Sequence, residues 1–342
     1  YIWTIGRFFT GFSMLSIFVV VESWLNDRAT NKTRGKVLSI YMIITFTGIA
    51  LGVLLLNFND PEEYEPFILV TLLFSIALIP ILLTKRKPPS FKKISAIKIK
   101  DLYKTSPFGT FSMFCTGFLH PAIFTMGAVY GALMNFSVLE ISLYLFLITI
   151  MGALFQWPIG YLSDRFDRRL VMVISALIGA ALCVLCFISV SESPDFINLS
   201  PDGKTILQHI TNHRLMFYIF ISIYAGMCLP LFSLNLAYVN DFLPKEKFVS
   251  AGGGLQIIFG ISAMFSPFLC SFFMKTLGPN GLFVFLFIFQ AAIGLFGLYR
   301  ITKRGTRENP DNTFTPLPRN ITPVGIELDP DTGVDLSNKE NK

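Results

Sequence analysis

The stretch Gly160-Tyr161-Leu162-Ser163-Asp164-Arg165-Phe166-Asp167-Arg168-Arg169 decides how the rest of the chain is read. Five of these ten residues are charged, and each flank is a long apolar run, residues 141–159 before and 170–190 after. Charge at a bilayer centre is costly, so this turn belongs at a water interface and the runs beside it cross the hydrocarbon. Its arginine bias puts it on the cytoplasmic side. A generic positive anchor accounts for Arg165, Arg168 and Arg169, but not for Asp164 and Asp167 set among them.

Composition agrees. Of 342 residues, 53% are hydrophobic and 15% charged, 36 are Phe, and the mean hydropathy is +0.60. A soluble domain carries about a quarter charged residues, so this is an all-α polytopic membrane protein. The net charge of +6 sits mostly in short loops between apolar runs and implies no nucleic-acid partner. Cys183 and Cys186 fall within an apolar run, where a C-x-x-C reads as packing. His209 and His213 have a spacing that can hold a metal, but with no other ligand nearby a solvated helix face is preferred, and no cofactor is expected. No phosphate-binding Gly-rich loop with Lys is present, so ATP-driven work within this chain is not expected.

Nine apolar runs can be placed: residues 1–25, 37–56, 67–83, 107–134, 141–159, 170–190, 215–239, 248–274 and 282–299. His120-Pro121 breaks the fourth. Residues 85–106 hold eight Lys or Arg and the pair Pro88-Pro89; 91–103 can form an amphipathic helix on an anionic leaflet. Beyond Gly305 the tail is polar and proline-bearing and is expected to be disordered. Basic residues follow runs one, three, five, seven and nine, which makes the C-terminus cytoplasmic. Nine spans then start Tyr1 on the opposite face. With Tyr1 already inside an apolar run and no initiator Met, an odd number of N-terminal spans is expected to be missing.

The pattern G-x-L-S-D-R-x-D-R-R at 160–169 resembles the loop signature of the major facilitator superfamily of transporters. Arg7-Phe8-Phe9-Thr10-Gly11 looks like the R-F-x-x-G of that family's fourth helix. Val19-Val20-Val21-Glu22-Ser23-Trp24, Arg34-Gly35-Lys36 with Tyr41-Met42, Gln156-Trp157-Pro158-Ile159-Gly160 and Gly278-Pro279-Asn280 resemble its YcaD-like branch. The resemblance implies two six-helix bundles that rock about a midplane cavity, with helices four to twelve present here. The expected organisation is a three-span remnant of the first bundle at 1–84, a cytoplasmic basic linker at 85–106, a six-helix bundle at 107–304 and a disordered cytoplasmic tail at 305–342. One departure is that no Pro stands beside Gly48 and Gly52, which leaves the direction of transport open.

Glu22 sits at the end of the first run with Arg34 across the turn. A buried carboxylate must be paired or protonated, and these two are read as a gate pair or a static ion pair. By the internal repeat, Asp241 is the expected partner of Arg168 or Arg169, and Asp164 is expected beneath the start of the second span at 35–38. Arg7 faces a cavity or snorkels. His120 carries a proton or braces a kink. Gln156, Asn235 and Tyr238 are candidate cavity residues. The expected function is a monomeric, proton-coupled secondary transporter for a small organic solute in a bacterial inner membrane. The alternatives are a lipid-modifying membrane enzyme, for which three His are few ligands, and a receptor-like bundle.

Overall fold

A computed structural model describes residues 2–30, 32–58, 63–83, 97–191, 203–303 and 313–332. All regular structure among them is helical: α1 Ile2–Arg28, α2 Arg34–Leu54, α3 Glu65–Leu82, α4 Ile99–Thr105, α5 Pro107–Pro121, α6 Gly127–Leu133, α7 Val138–Arg165, α8 Arg168–Ser191, α9 Gly203–Cys228, α10 Leu231–Asn240, α11 Phe248–Leu277, α12 Gly281–Lys303 and the single turn α13 Pro323–Ile326. Eight stretches are long and apolar enough to cross a membrane, and α3 adds a shorter apolar helix.

Local chemistry sets the boundaries. A capping box starts α7: the Ser137 hydroxyl accepts from the Glu140 N–H, and the Glu140 carboxylate accepts from the Ser137 N–H at 2.7 Å. Asp167 takes the Arg169 N–H at 2.9 Å and opens α8. Gly278, at φ +77°, ends α11 in a conformation that favours glycine. The expected break at His120-Pro121 becomes a π-turn over residues 122–126, which joins α5 to α6. There the Tyr144 hydroxyl donates to the Ile123 carbonyl at 2.7 Å and the Ser266 hydroxyl to the Phe118 carbonyl at 2.6 Å. Neighbouring helices thus satisfy backbone groups that a proline break exposes in hydrocarbon.

Two boundaries differ from the sequence reading. Helix α9 begins at Gly203, ahead of the apolar span Arg214–Asn240 that matches the expected seventh span, and it is interrupted at Leu229-Pro230, since proline cannot continue its hydrogen bonding. Of the linker, only α4 and its flanks are described; residues 84–96 lie outside the described part, as do the side chains of His209 and His213.

The core divides in two. One cluster fills the bundle of α5–α9 and α12, where Phe118, Tyr130, Phe217, Phe283 and Phe285 interlock. The second lies where α2, α5, α10 and α11 meet, and it includes Leu317, Ile321, Ile326 and Leu328 of the tail. A disordered tail is therefore corrected for residues 313–332. They carry enough apolar side chains, spaced by turns, to bury against the helices despite a polar surround. Gly48 and Gly52 meet nothing among the described residues, whereas a Cβ at Gly127 would meet the Tyr144 ring and one at Gly131 the Ile141 side chain.

Candidate functional site

The charged side chains gather at one end of the bundle. Arg168 on α8 is buried, and its two terminal nitrogens divide between two carboxylates: Nη1 to Asp241 Oδ1 at 2.6 Å and Nη2 to Asp164 Oδ1 at 3.0 Å. Nη1 also donates to the Ala237 carbonyl at 3.3 Å. One guanidinium thus ties the ends of α7, α8 and α10. Arg169 instead pairs with its near neighbour Asp167 at 2.9 Å. Arg165 is exposed and stacks 4.2 Å from the centre of the Tyr161 ring.

One expectation at this end is corrected. Glu22 is fully buried, but its partners are the Tyr41 hydroxyl at 2.8 Å and the N–H and hydroxyl of Thr322, the N–H at 2.8 Å. It makes no ion pair with Arg34, which donates to the Pro330 carbonyl. The reason is register: Tyr41 lies two turns into α2 on the face turned to α1, while Arg34 stands at its first residue beside the tail. Asp164 is expected beneath residues 35–38, at the start of α2, the helix against which α7 packs. It accepts the Phe314 N–H at 2.7 Å as well as Arg168, and Gly35 packs against Pro330. The tail thus touches both the charged loop and the start of α2.

Deeper in the bundle is a cavity between the two halves. Thr45, Phe46 and Ile49 of α2 form one wall; His120, Phe124, Thr149, Gln156, Leu229 and Phe232 form the other; residues 317–320 of the tail close it. The free volume is about 30 Å³. His120 is buried edge-on to the Phe259 ring, with Nε2 3.5 Å from the Cys228 carbonyl. The π-turn and the α9–α10 break, both departures from α-helical backbone, meet this same cavity. His120 Nδ1 and Gln156 Oε1 are buried there without a hydrogen-bond partner among the described residues.

The other candidates lie elsewhere. Asn235 is buried and donates to the Thr116 hydroxyl at 3.0 Å, within the α5–α10 contact. Tyr238 packs edge-to-face with Phe108 and Phe242, at 5.6 and 5.1 Å between ring centres. Neither borders the cavity, because both project from the α10 face turned into the bundle. Arg7 is exposed on the first turns of α1. The sequence reading missed Phe124, Thr149 and the tail residue Arg319, whose guanidinium lies 3.9 Å from the centre of the Phe124 ring. Loss of water lowers Arg319 to about 10, which leaves it charged at neutral pH.

Comparison with known proteins follows this geometry. The sequence model described as Major Facilitator Superfamily matches residues 1–201 and 135–328. The chain is 22% identical over 286 residues to the protein of Escherichia fergusonii named Uncharacterized MFS-type transporter YcaD, which covers 83% of this chain and 68% of that one. It is 24% identical over 317 residues to the Yersinia enterocolitica protein named Uncharacterized MFS-type transporter YE1530, covering 92% and 74%. No solved structure matches it. A multi-pass helical chain that this family model covers on both sides of its signature loop belongs to the Major Facilitator Superfamily and is a membrane transporter, not an enzyme.

Proposed function

We propose that this protein is a secondary active transporter that moves a small organic solute by alternating access through the cavity between its two halves, coupled to protons. The observation that carries the reading is the pair His120 Nδ1 and Gln156 Oε1. Two buried polar atoms without partners, on residues that line one cavity, are costly unless a ligand or water takes them. Apolar and aromatic walls with a few converging polar groups are the usual make-up of a small-molecule site. His120 brings to that cavity an imidazole, the side chain through which proton coupling is proposed to run.

The charged end supports the moving part of the mechanism. The Arg168 junction of α7, α8 and α10, and the Glu22–Tyr41 bond between α1 and α2, each brace one half internally. Each half can then move as a unit while its own polar contacts stay closed. The arginine bias of the 160–169 turn favours a bacterial inner membrane with this end and the C-terminus in the cytoplasm. The proposal takes the monomer as the working unit.

The test is flux in liposomes holding the full-length protein and an entrapped pH indicator. Under an imposed pH gradient, one solute from a panel of small organic acids, amines and sugars should enter and carry protons with it. Gln156→Ala should weaken apparent affinity about tenfold, by removing one hydrogen bond at a buried site. His120→Ala should abolish proton movement. Uptake that persists with the gradient collapsed refutes coupling, and flux identical in parent and Gln156→Ala refutes the site.

A further inference from the structure

We propose that residues 313–332 are a tethered plug, seated in the pathway between the two halves and competing with the transported solute for the central cavity. The inference rests on the transporter reading above for its consequence, but not for its geometry.

The segment enters at the charged end and is held step by step. The Phe314 N–H donates to Asp164. Leu317 uses both backbone groups on one side chain, since its N–H donates to the Ser233 hydroxyl at 3.0 Å and its carbonyl lies at 3.0 Å from the same oxygen. The Ile321 carbonyl accepts from Gln256. Thr322 donates twice to the buried Glu22. Asn26 donates to the Val324 carbonyl at 2.7 Å and to Glu327 at 3.0 Å. These partners sit on α1, α7, α10 and α11, so one short segment bridges helices of both halves. An irregular strand inside a helical bundle needs such side-chain partners for its backbone.

The helices are shaped for it. A Cβ at Gly160 would stand 2.2 Å from the Phe314 ring, one at Gly252 would stand 2.4 Å from Ile326, and one at Gly253 would stand 3.3 Å from Pro323. Two of the three glycines that open α11 are thus explained by the tail. Leu317, Ile321, Ile326 and Leu328 are each at most 2% exposed, so the contact is an apolar seat as well as a polar one.

The deepest part of the segment lies in the site itself. Pro318, Arg319 and Asn320 border the cavity with His120, Phe124 and Gln156, and the guanidinium covers the Phe124 ring face, a favoured place for a cation. What remains, about 30 Å³, admits a water or two but no organic solute. With the tail seated, solute cannot reach His120 and Gln156 from the charged end. The protein therefore has to release its own tail before that end can load or unload.

The test reads access to the cavity, independent of any solute. The five cysteines, all free and buried, are replaced, and Thr149→Cys is introduced as the reporter in the full-length protein in lipid nanodiscs, where both faces meet water. A bulky hydrophilic maleimide should label the parent slowly. It should label at least ten times faster in the full-length double variant Leu317→Asp with Ile321→Asp, and in a chain lacking 313–332. A synthetic 313–332 peptide should slow labelling of the shortened chain again. Equal rates in all three proteins would overturn the plug. Faster labelling that the peptide does not reverse would also overturn it, because that outcome reports loosened helices, not an emptied seat. A shortened chain that fails to fold leaves the double variant to decide. Failure of solute flux in liposomes bears on the transporter reading and leaves these rates untouched.

Discussion

Helix α1 and the segment 313–332 touch one another, through Glu22 and Thr322 and through Asn26 and Val324, yet they are held in place by opposite means. Among the described residues nothing buries the most apolar window of α1, and Phe8, Phe9 and Phe12 are uncovered by them. The tail is polar and interrupted by prolines, but its four apolar side chains are almost fully covered. Hydropathy records which solvent a segment tolerates, and for a helix with every backbone bond closed internally the bilayer is a solvent. Burial within protein asks for something else: a complementary surface and a partner for each backbone group. Asp164, Ser233, Gln256 and Glu22 provide those partners for the tail, whereas α1 needs none.

The sharpest test of that contrast compares three truncations of apolar side chains by thermal unfolding in one detergent. Phe285→Ala, in the core of the second bundle, should cost about 3–5 kcal/mol. Leu317→Ala deletes a similarly buried group, but its cost is capped by the free energy of seating the tail, because the segment can leave while the helices stay folded. An effect of about 1–2 kcal/mol is expected, short of the usual range for a buried Leu. Phe12→Ala, on the exposed face of α1, should stay within about 0.5 kcal/mol. If Leu317→Ala costs as much as Phe285→Ala, the tail is a fixed part of the core and cannot act as a removable plug.

Protonation separates the two regions further, through Asp329 of the tail. Burial raises its carboxyl from the ordinary 3.8 to about 6. Its neighbour Asp331 pushes the same way, while the Asp331 N–H, the Thr315 hydroxyl and Arg34 on α2 oppose. Arg168 borders the same crevice, and the Lys245–Lys247 turn packs on Pro330–Thr332. The sign follows from proton uptake. Between about pH 4 and 6 the seated tail binds a proton that the released tail does not, so seating strengthens as pH falls through 6 and levels off below 4. From pH 7.5 to 5.5 the seating constant should rise about fourfold. Labelling at Thr149→Cys, taken relative to Asp329→Asn at each pH, cancels the reagent's own pH dependence. A ratio that does not change with pH would exclude Asp329 as the titrating group.

Much of this arrangement is legible in the chain, and the omissions have physical causes. The spans follow from hydropathy, since a backbone in hydrocarbon must close its own bonds. The Arg168–Asp241 pair follows from the repeat that places matching residues at matching helix ends. The partner of Glu22 does not, because its two alternatives lie 19 residues away on the facing helix and 300 residues away in the tail. The signals that point to the tail are weak by themselves: apolar residues at 317, 321, 326 and 328 within a polar segment, and three consecutive glycines opening α11 with no loop to serve. Neither means much until the two are laid side by side. The break at Pro230 was visible as a proline inside an apolar run. Asn235 and Tyr238 were polar enough for a cavity, but polarity does not say which face of α10 turns inward.

The smallest effect expected is also the one that separates two roles for Asp164. As a cap beneath the start of α2, its charge would be worth up to about 2 kcal/mol when partly buried, and Asp164→Asn would open that end by up to about tenfold. In the structure the carboxylate instead accepts from Phe314 and from Arg168, with about a third of its side chain exposed. Asn keeps an oxygen able to accept the Phe314 N–H. What is lost is the charge, and a partly exposed ion pair contributes about 0.5 kcal/mol. Arg168 retains Asp241 at 2.6 Å, so the junction of α7, α8 and α10 should survive with its thermal stability within a degree or two. Labelling of Thr149→Cys should then rise about twofold in Asp164→Asn, through weaker seating of Phe314, and the rise should vanish in the chain lacking 313–332. An increase of about tenfold that persists without the tail would return Asp164 to a gate between the helices themselves.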